Sequence, residues 1–326
     1  MGVRPRALAA AGALALTAAG CGPATHPAAD PSSSSAPASA STAASRASAA
    51  ASSTTAPAPT TTTTTTTLPV PQPGWTVVAE TSRAILVDTR TYHLPDGDSV
   101  TLVRFHAGTY RLDFHLGSQD PPSAGFPVTA VDGDAISAAE RPLLLGAFNG
   151  GFRTNTGSGG VELYGHVLVP LVAGDASLVV NANGTARVGV WGQGLPAPGE
   201  HVASVRQNLT PLIDNGVTSP QIGNVAAWGA ELYGVPGTAR SAVGTDPAGN
   251  LVYAASMAAL PADLATAFHL AGVTNAMELD INPYWVQADV ASHPGGALRA
   301  AIPGQQRPAN TYLGGWTRDF YAVLAR

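Results

Sequence analysis

The chain has 326 residues, a net charge of −5, 11% charged residues and one cysteine. All 16 of its basic residues are arginine, and they form no run or patch, which argues against nucleic acid as a partner. Residues 1–74 offer no core, whereas the remainder, about 250 residues, is a size that one β-rich or α/β domain commonly reaches.

The N-terminal residues read as a targeting signal. Arg4 and Arg6 precede an apolar stretch, Leu8 to Thr17, that is too short to span a bilayer. Ala18-Ala19-Gly20-Cys21 follows and resembles a bacterial lipobox, although Ala18 stands where Leu is usual. Cys21 can form no internal disulfide, so lipid attachment gives this exported thiol a role. An ordinary secretory signal with an incidental cysteine is the other reading. The expectation is therefore a lipoprotein signal peptide over 1–20. The protein would be extracytoplasmic, held by lipid on the outer face of a bacterial cell membrane.

Residues 21–74 are dominated by Ala, Ser, Thr and Pro, with an unbroken run from Thr60 to Thr67. Such a composition buries too little apolar surface to offset its ordering entropy. It is expected to be a disordered linker that spaces the domain from the membrane.

From residue 75 onward the pattern predicts an α+β class: one β-rich domain, 75–326, with a mixed sheet and a few packed helices. Ala84 to Val87 and Ser99 to Val103 read as strands around the turn Leu94-Pro95-Asp96-Gly97. Asp134 to Glu140 reads as a short helix that stops before Pro142. Ser177 to Asn181 and Ala186 to Trp191 flank Asn183-Gly184, a two-residue hairpin signal. Pro261 to Leu270 predicts a helix, with Pro in the first turn, Asp263 early, and Gly272 as its stop. Strand-like stretches, Leu251 to Met257 and Ala276 to Ile281, lie on either side of that helix. This arrangement favours a parallel crossover.

Three segments carry candidate chemistry. In Ala276-Met277-Glu278-Leu279-Asp280-Ile281-Asn282-Pro283, alternation puts Glu278, Asp280 and Asn282 on one face. Buried acids are costly unless paired or used, so this end of the strand is a candidate site. A solvent-facing side of an edge strand is the bland alternative. Asn149-Gly150-Gly151 allows close main-chain approach of a ligand, but is by itself more often a turn. Arg240-Ser241 leads into a strand, and an arginine fork suits a phosphate or carboxylate.

In this order, together with Pro211-Leu212-Ile213-Asp214-Asn215-Gly216, these segments resemble the phosphodiester glycosidase family. Its pattern has an Asn-Gly-Gly turn, a Pro-Leu-Ile-x-Asn-Gly segment, Arg-Thr-Ala-Ile-Gly, and Leu-Asp-Gly-Gly-Gly-Ser. The resemblance spans most of the chain from about Val77. It implies hydrolysis of a sugar-1-phosphodiester, in cell-wall or exopolysaccharide material for an exported bacterial protein. It further implies Arg240 on the phosphate, and Asp280 and Glu278 as the carboxylates. Asn149, Gly150, Gly151, Asn215, Ser241 and Asn282 would bind substrate.

Ile281-Asn282-Pro283-Tyr284 replaces the glycine-rich loop, and Arg153 replaces an aromatic. These changes, with aromatics at Tyr284, Trp285, Tyr312 and Trp316, also fit a non-catalytic glycan-binding module. A purely structural spacer would show no pocket near Asp280 and Arg240. The expected partner is a carbohydrate or phosphoglycan, with membrane contact only through the anchor.

The sequence requires no cofactor. The eight histidines form no ligand-spaced pair, and the domain lacks cysteine, which disfavours structural zinc. A divalent cation such as calcium, held by Asp and backbone oxygens, is the open alternative, without a loop signature to support it. His106, His115 and His166 lie in or beside strands and are individually unremarkable.

Overall fold

A computed structural model describes residues 71–326, apart from 124, 130, 131 and 230–234. The expected signal peptide, Cys21 and all but the end of the linker lie outside the described residues. Three sheets make up the domain.

The first sheet has eight strands, in the order β1 (Thr76–Glu80), β2 (Ile85–His93), β3 (Ser99–Phe105), β14 (Leu251–Ala259), β13 (Thr238–Thr245), β15 (Asn275–Glu278), β11 (Ile213–Asp214), β12 (Val217–Thr218). The second runs β7 (His166–Val169), β6 (Val161–Leu163), β10 (Val202–Gln207), β8 (Ala176–Asn181), β9 (Ala186–Val190). In the third the order is β17 (Arg299–Ala300), β16 (Ala288–Val290), β5 (Leu144–Asn149), β18 (Phe320–Ala325), β4 (Tyr110–His115). A single α-helix, α1 (Pro261–Leu270), is described.

Alternation along the first sheet sorts its side chains between two cores. Leu102, Ala242, Ala254 and Ala276 face Leu264 and Phe268 of α1, with Trp228 in the same cluster. Val103, Val243, Tyr253 and Met277 face the other two sheets and meet Phe148, Leu178 and Tyr321. The first sheet is thus covered on both faces, so its strands read as continuous apolar runs.

Helix α1 forms where the sequence places it. Pro261 lacks an N–H that would otherwise be unpaired, and Asp263 Oδ2 accepts the Leu260 N–H at 2.8 Å. Gly272, at φ 80°, ends it. The strands on either side, β14 and β15, run in the same direction, as a crossover demands. They are not neighbours, however, because β13 lies between them and pairs antiparallel with each.

Two local expectations are corrected. Residues 134–140 form bends and turns instead of a helix, followed by a single 3-10 turn, Arg141–Leu143. Their main chain is tied elsewhere: Ile136 N–H donates to Tyr312 O, and Asp134 O accepts from Trp316 N–H. Glu140 turns back to accept the Ser137 N–H and meets the buried His115 at 2.9 Å. Tertiary bonds here outcompete a short helix with little intrinsic stability. The β8–β9 hairpin has a three-residue loop, not two, since Asn181 N–H donates to Thr185 O and Gly184 N–H to Asn181 O. Gly184 supplies the positive φ that this loop type needs.

Candidate active site

Beyond the end of β15 the chain still follows β13. Leu279 N–H donates to Ser241 O, and Ser241 N–H to Asp280 O, both at 2.8 Å. Asp280 therefore sits where the strand gives way to a turn. Its Oδ1 accepts the N–H groups of Ile281 (2.8 Å) and Asn282 (3.0 Å), and Asn282 Oδ1 accepts from Tyr284 N–H. Such side-chain to main-chain bonds fix the turn and aim the carboxylate.

The other oxygen, Oδ2, faces Arg318, whose Nη2 lies 3.4 Å away. Arg318 is itself held by three groups. Nη2 donates to Gly151 O at 2.7 Å, Nε lies 3.4 Å from Asp120 Oδ2, and the guanidinium lies 5.2 Å from the centre of the Trp285 ring. Burial pushes the Asp280 carboxyl up to about 6, against the opposing pull of Arg318 and the two N–H groups.

Both residues open onto a cavity of about 510 Å³, with Arg153, Ile281, Asn282 and Trp285 among its walls. Arg153 is exposed, and its guanidinium has no partner among the described residues. The cavity thus combines one carboxyl raised by burial to about 6, one oriented arginine and one free arginine. Ile281 and Asn282, which stand where the family pattern has glycines, line it directly.

The residues singled out in the sequence divide into groups. Asp280 and Asn282 line the cavity. Asn149 and Ser241 lie behind Asp280 and hold its main chain. Asn149 Nδ2 donates to Ser241 Oγ at 3.0 Å, and that oxygen also accepts the Asp280 N–H at 3.1 Å. Asn149 Oδ1 in turn accepts from Tyr253 OH and Gln287 N–H. Gly150 and Gly151 receive a side chain of this same chain: Asp319 Oδ2 would lie 2.2 Å from a Cβ at Gly150.

Arg240 and Glu278 bind each other. Arg240 Nη1 donates to Glu278 Oε1 at 2.6 Å, and both side chains are wholly buried on the face of the first sheet that carries α1. Arg240 also donates to Ala259 O and Trp228 O. Neither residue is in the cavity wall, so the guanidinium that meets Asp280 is that of Arg318. Asn215 is exposed in the β11–β12 turn, where its N–H donates to Asn275 Oδ1 at 2.9 Å. Asn275 begins β15, about 16 Å along the strand from Asp280 at ~3.3 Å per residue.

No family model and no curated protein matches the chain. Among solved structures it is similar to the catalytic domain of zebrafish N-acetylglucosamine-1-phosphodiester alpha-N-acetylglucosaminidase, auto-inhibited by its pro-peptide. The two are 15% identical over 77% of this chain and 88% of that one, with a TM-score of 0.48. It is also similar to a hypothetical protein from Synechocystis, at 14% identity over 74% of this chain and 62% of that one, with a TM-score of 0.43. Both are distant likenesses.

Four residues at or behind the cavity escaped the sequence reading. Arg318 and Asp319 precede β18, and Arg206 and Asn208 flank the end of β10. Arg206 Nε donates to Asp319 Oδ2 at 2.7 Å, both side chains being fully buried, and Arg206 Nη2 donates to Phe152 O. Asn208 Nδ2 donates to Glu278 O (2.8 Å) and Leu279 O (3.0 Å), while its Oδ1 accepts the Phe152 N–H. The available signal was an Arg-Asp pair directly before an apolar strand, since charges at that position must be paired or used.

Among the aromatics, Trp285 is in the cavity wall and Trp316 packs edge-on against it, with ring centres 5.3 Å apart. Tyr312 is fully buried against Phe320, and Tyr284 is exposed. Among the described residues no group of three or more His, Cys, Asp or Glu is placed to hold a metal ion.

Proposed function

We propose that this protein hydrolyses a sugar joined through its anomeric carbon to a phosphodiester, in envelope or exopolysaccharide material outside a bacterial cell to which lipid on Cys21 holds it. The observation that carries this reading is the pairing of Asp280 and Arg318 on one cavity, with the unpartnered Arg153 at its edge.

The phosphomonoester released from such a diester is a good leaving group. When the bond from the anomeric carbon to the phosphate oxygen breaks, the electron pair leaves on that oxygen and needs little help from a general acid. The site then requires cations for the phosphate and a carboxylate facing the developing oxocarbenium ion. Arg318 and Arg153 supply the first and Asp280 the second. Arg240, buried against Glu278 and outside the cavity wall, is replaced in that role. Asp280 Oδ2 faces the anomeric carbon and takes a proton as water oxygen becomes bonded there. The products are a free sugar and a phosphomonoester. The ordered motifs that resemble the phosphodiester glycosidase family support the same reaction class.

A glycan-binding role without turnover is the second reading. It is favoured by the apolar walls of the cavity, where Phe152, Leu209, Ile281 and Trp285 offer faces suited to a sugar ring.

One experiment separates them. The purified protein is incubated with α- and β-linked sugar-1-(4-nitrophenyl phosphate) diesters in water enriched in oxygen-18. Hydrolysis as proposed yields 4-nitrophenyl phosphate and places the label on the sugar. Label on phosphorus would identify a phosphodiesterase instead. Binding without any product would leave the glycan-binding role.

A further inference from the structure

A second cavity, of about 340 Å³, lies where β4, the edge strand of the third sheet, meets β8 and β10 of the second. It shares no wall residue with the Asp280 cavity. Four features of this seam are unusual for a simple packing gap.

The first is Tyr164. It forms, with Gly165, the two-residue turn of the β6–β7 hairpin, at φ 49° and 79°. Asn, Asp or Gly normally fill such a first position, because a bulky side chain is strained there. Tyr164 is nonetheless 54% exposed, with its hydroxyl donating to Asp132 Oδ1 at 2.8 Å. Apart from that bond and a tilted contact with the Phe126 ring, 6.3 Å between centres, the aromatic ring is displayed to solvent at a conformational cost.

The second is an open edge. Leu112 N–H donates to Gly184 O at 2.8 Å, so alternate residues of β4 turn their main-chain groups away from β18. Phe114 is the next of these, so its main-chain N–H and C=O point to the same side as those of Leu112. The third is Asn181, whose Oδ1 is buried and unpartnered while Nδ2 is fixed by Glu200 Oε1 at 2.8 Å. The fourth is the pair Arg111 and Asp113, 2.8 Å apart, which gives the wall a donor fork and a carboxylate with no net charge.

We infer that this seam is a second binding site, for a neutral saccharide ring. Tyr164 provides the face against which the C–H side of a sugar packs. Asn181 Oδ1, the Phe114 main chain and the Arg111–Asp113 pair provide donors and acceptors for hydroxyl groups. Charge separates the two cavities: the unpaired Arg153, beside the Arg318–Asp280 pair, favours a phosphate there, whereas the Arg111–Asp113 pair here has no net charge and favours an uncharged ring. The volume lies at the small end of the range for ligand sites and suits a single unit of a chain. The site does not depend on the Asp280 cavity being catalytic.

The test is titration of the purified full chain with neutral trisaccharides of glucose, mannose, galactose and N-acetylglucosamine, followed by calorimetry and saturation-transfer NMR. At least one is expected to bind with a millimolar or lower Kd. Tyr164→Asn, which suits the turn better, should leave the Tm unchanged or raised and weaken that binding roughly tenfold or more. Asp113→Ala should weaken it likewise, while Asp280→Asn should not. Absence of binding by every trisaccharide would overturn the inference. So would binding that survives both seam variants, or that disappears with Asp280→Asn.

Discussion

Arg240 Nη1 lies 2.6 Å from Glu278 Oε1, and neither side chain has any exposed surface. The pair lies on the face of the first sheet that carries α1. Arg240 Nη2 and Glu278 Oε2 have no hydrogen-bond partners among the described residues, and burial pushes the Glu278 carboxyl up to about 8 despite the arginine. Such a pair resists the loss of one member far more than the loss of both. Glu278→Leu should destabilise the protein by about 3–5 kcal/mol, because it strands a buried guanidinium. Adding Arg240→Met to it should restore much of that loss. Urea unfolding of the single and double variants measures both effects.

Activity should depend on the Asp280 carboxyl. It must be ionised to face positive charge or accept a proton, so kcat/KM is expected to rise through about pH 6 and then level. Asp280→Asn should lower turnover by a factor on the order of 10²–10⁴ and abolish that rise. A pH profile that is flat from 5 to 8 in the parent would remove Asp280 from this role.

Stability should move in the opposite direction. A carboxyl raised above its ordinary value in the folded state binds its proton more tightly there than in the unfolded chain. The folded protein therefore loses stability as pH rises from about 4 towards 6, the window set by the unfolded and folded values. Glu278 extends the same trend towards 8. Relative to Asp280→Asn, the parent should be less stable at pH 7 than at pH 5. Denaturation of both proteins at the two pH values checks the sign.

Arg318 should reveal itself through its neighbour. Its positive charge opposes the upward shift of Asp280, so Arg318→Gln should carry the kinetic midpoint higher than in the parent. The loss of an oriented cation should also lower kcat/KM by about 10²–10³. Arg153→Gln, at the exposed edge, should raise KM and leave the midpoint nearly in place. Kinetic profiles of the two variants separate the roles.

A methyl group at residue 150 has no room. A Cβ there would stand 2.2 Å from Asp319 Oδ2 and 2.8 Å from Asp319 O. Gly150→Ala should force the carboxylate off Arg206 and cost about 3 kcal/mol or more. Calorimetric unfolding should show a fall in Tm several times larger than for Gly223→Ala, where nothing lies within 4 Å.

The helix and the strands beside it, β13, β14 and β15, follow from local pattern alone, because α1 has its cap, its apolar stripe and its stop within a dozen residues. Asp280 and Asn282 were accessible for the same reason: alternation along one strand identifies them. Partner choice was not. Arg240 and Arg318 are both arginines beside strands, and which of them meets Asp280 depends on how β13, β15 and β18 are arranged in space. The strand between β14 and β15 precedes both in the chain, so no local signal announces its insertion. The segment 134–140 failed as a helix for a related reason, since its hydrogen bonds go to residues 312 and 316.

Strand β18 pairs with β4 from Phe320↔His115 to Ala325↔Tyr110, and Arg318, just before it, completes the cavity wall. A chain emerging N-terminus first thus holds every other wall of that cavity before Arg318 arrives. Until then Asp280 lacks its cation, Arg206 its acid and β4 its neighbour. Contacts across more than two hundred residues form slowly. The last strand of the sheet to be made thus brings the residue that closes the cavity.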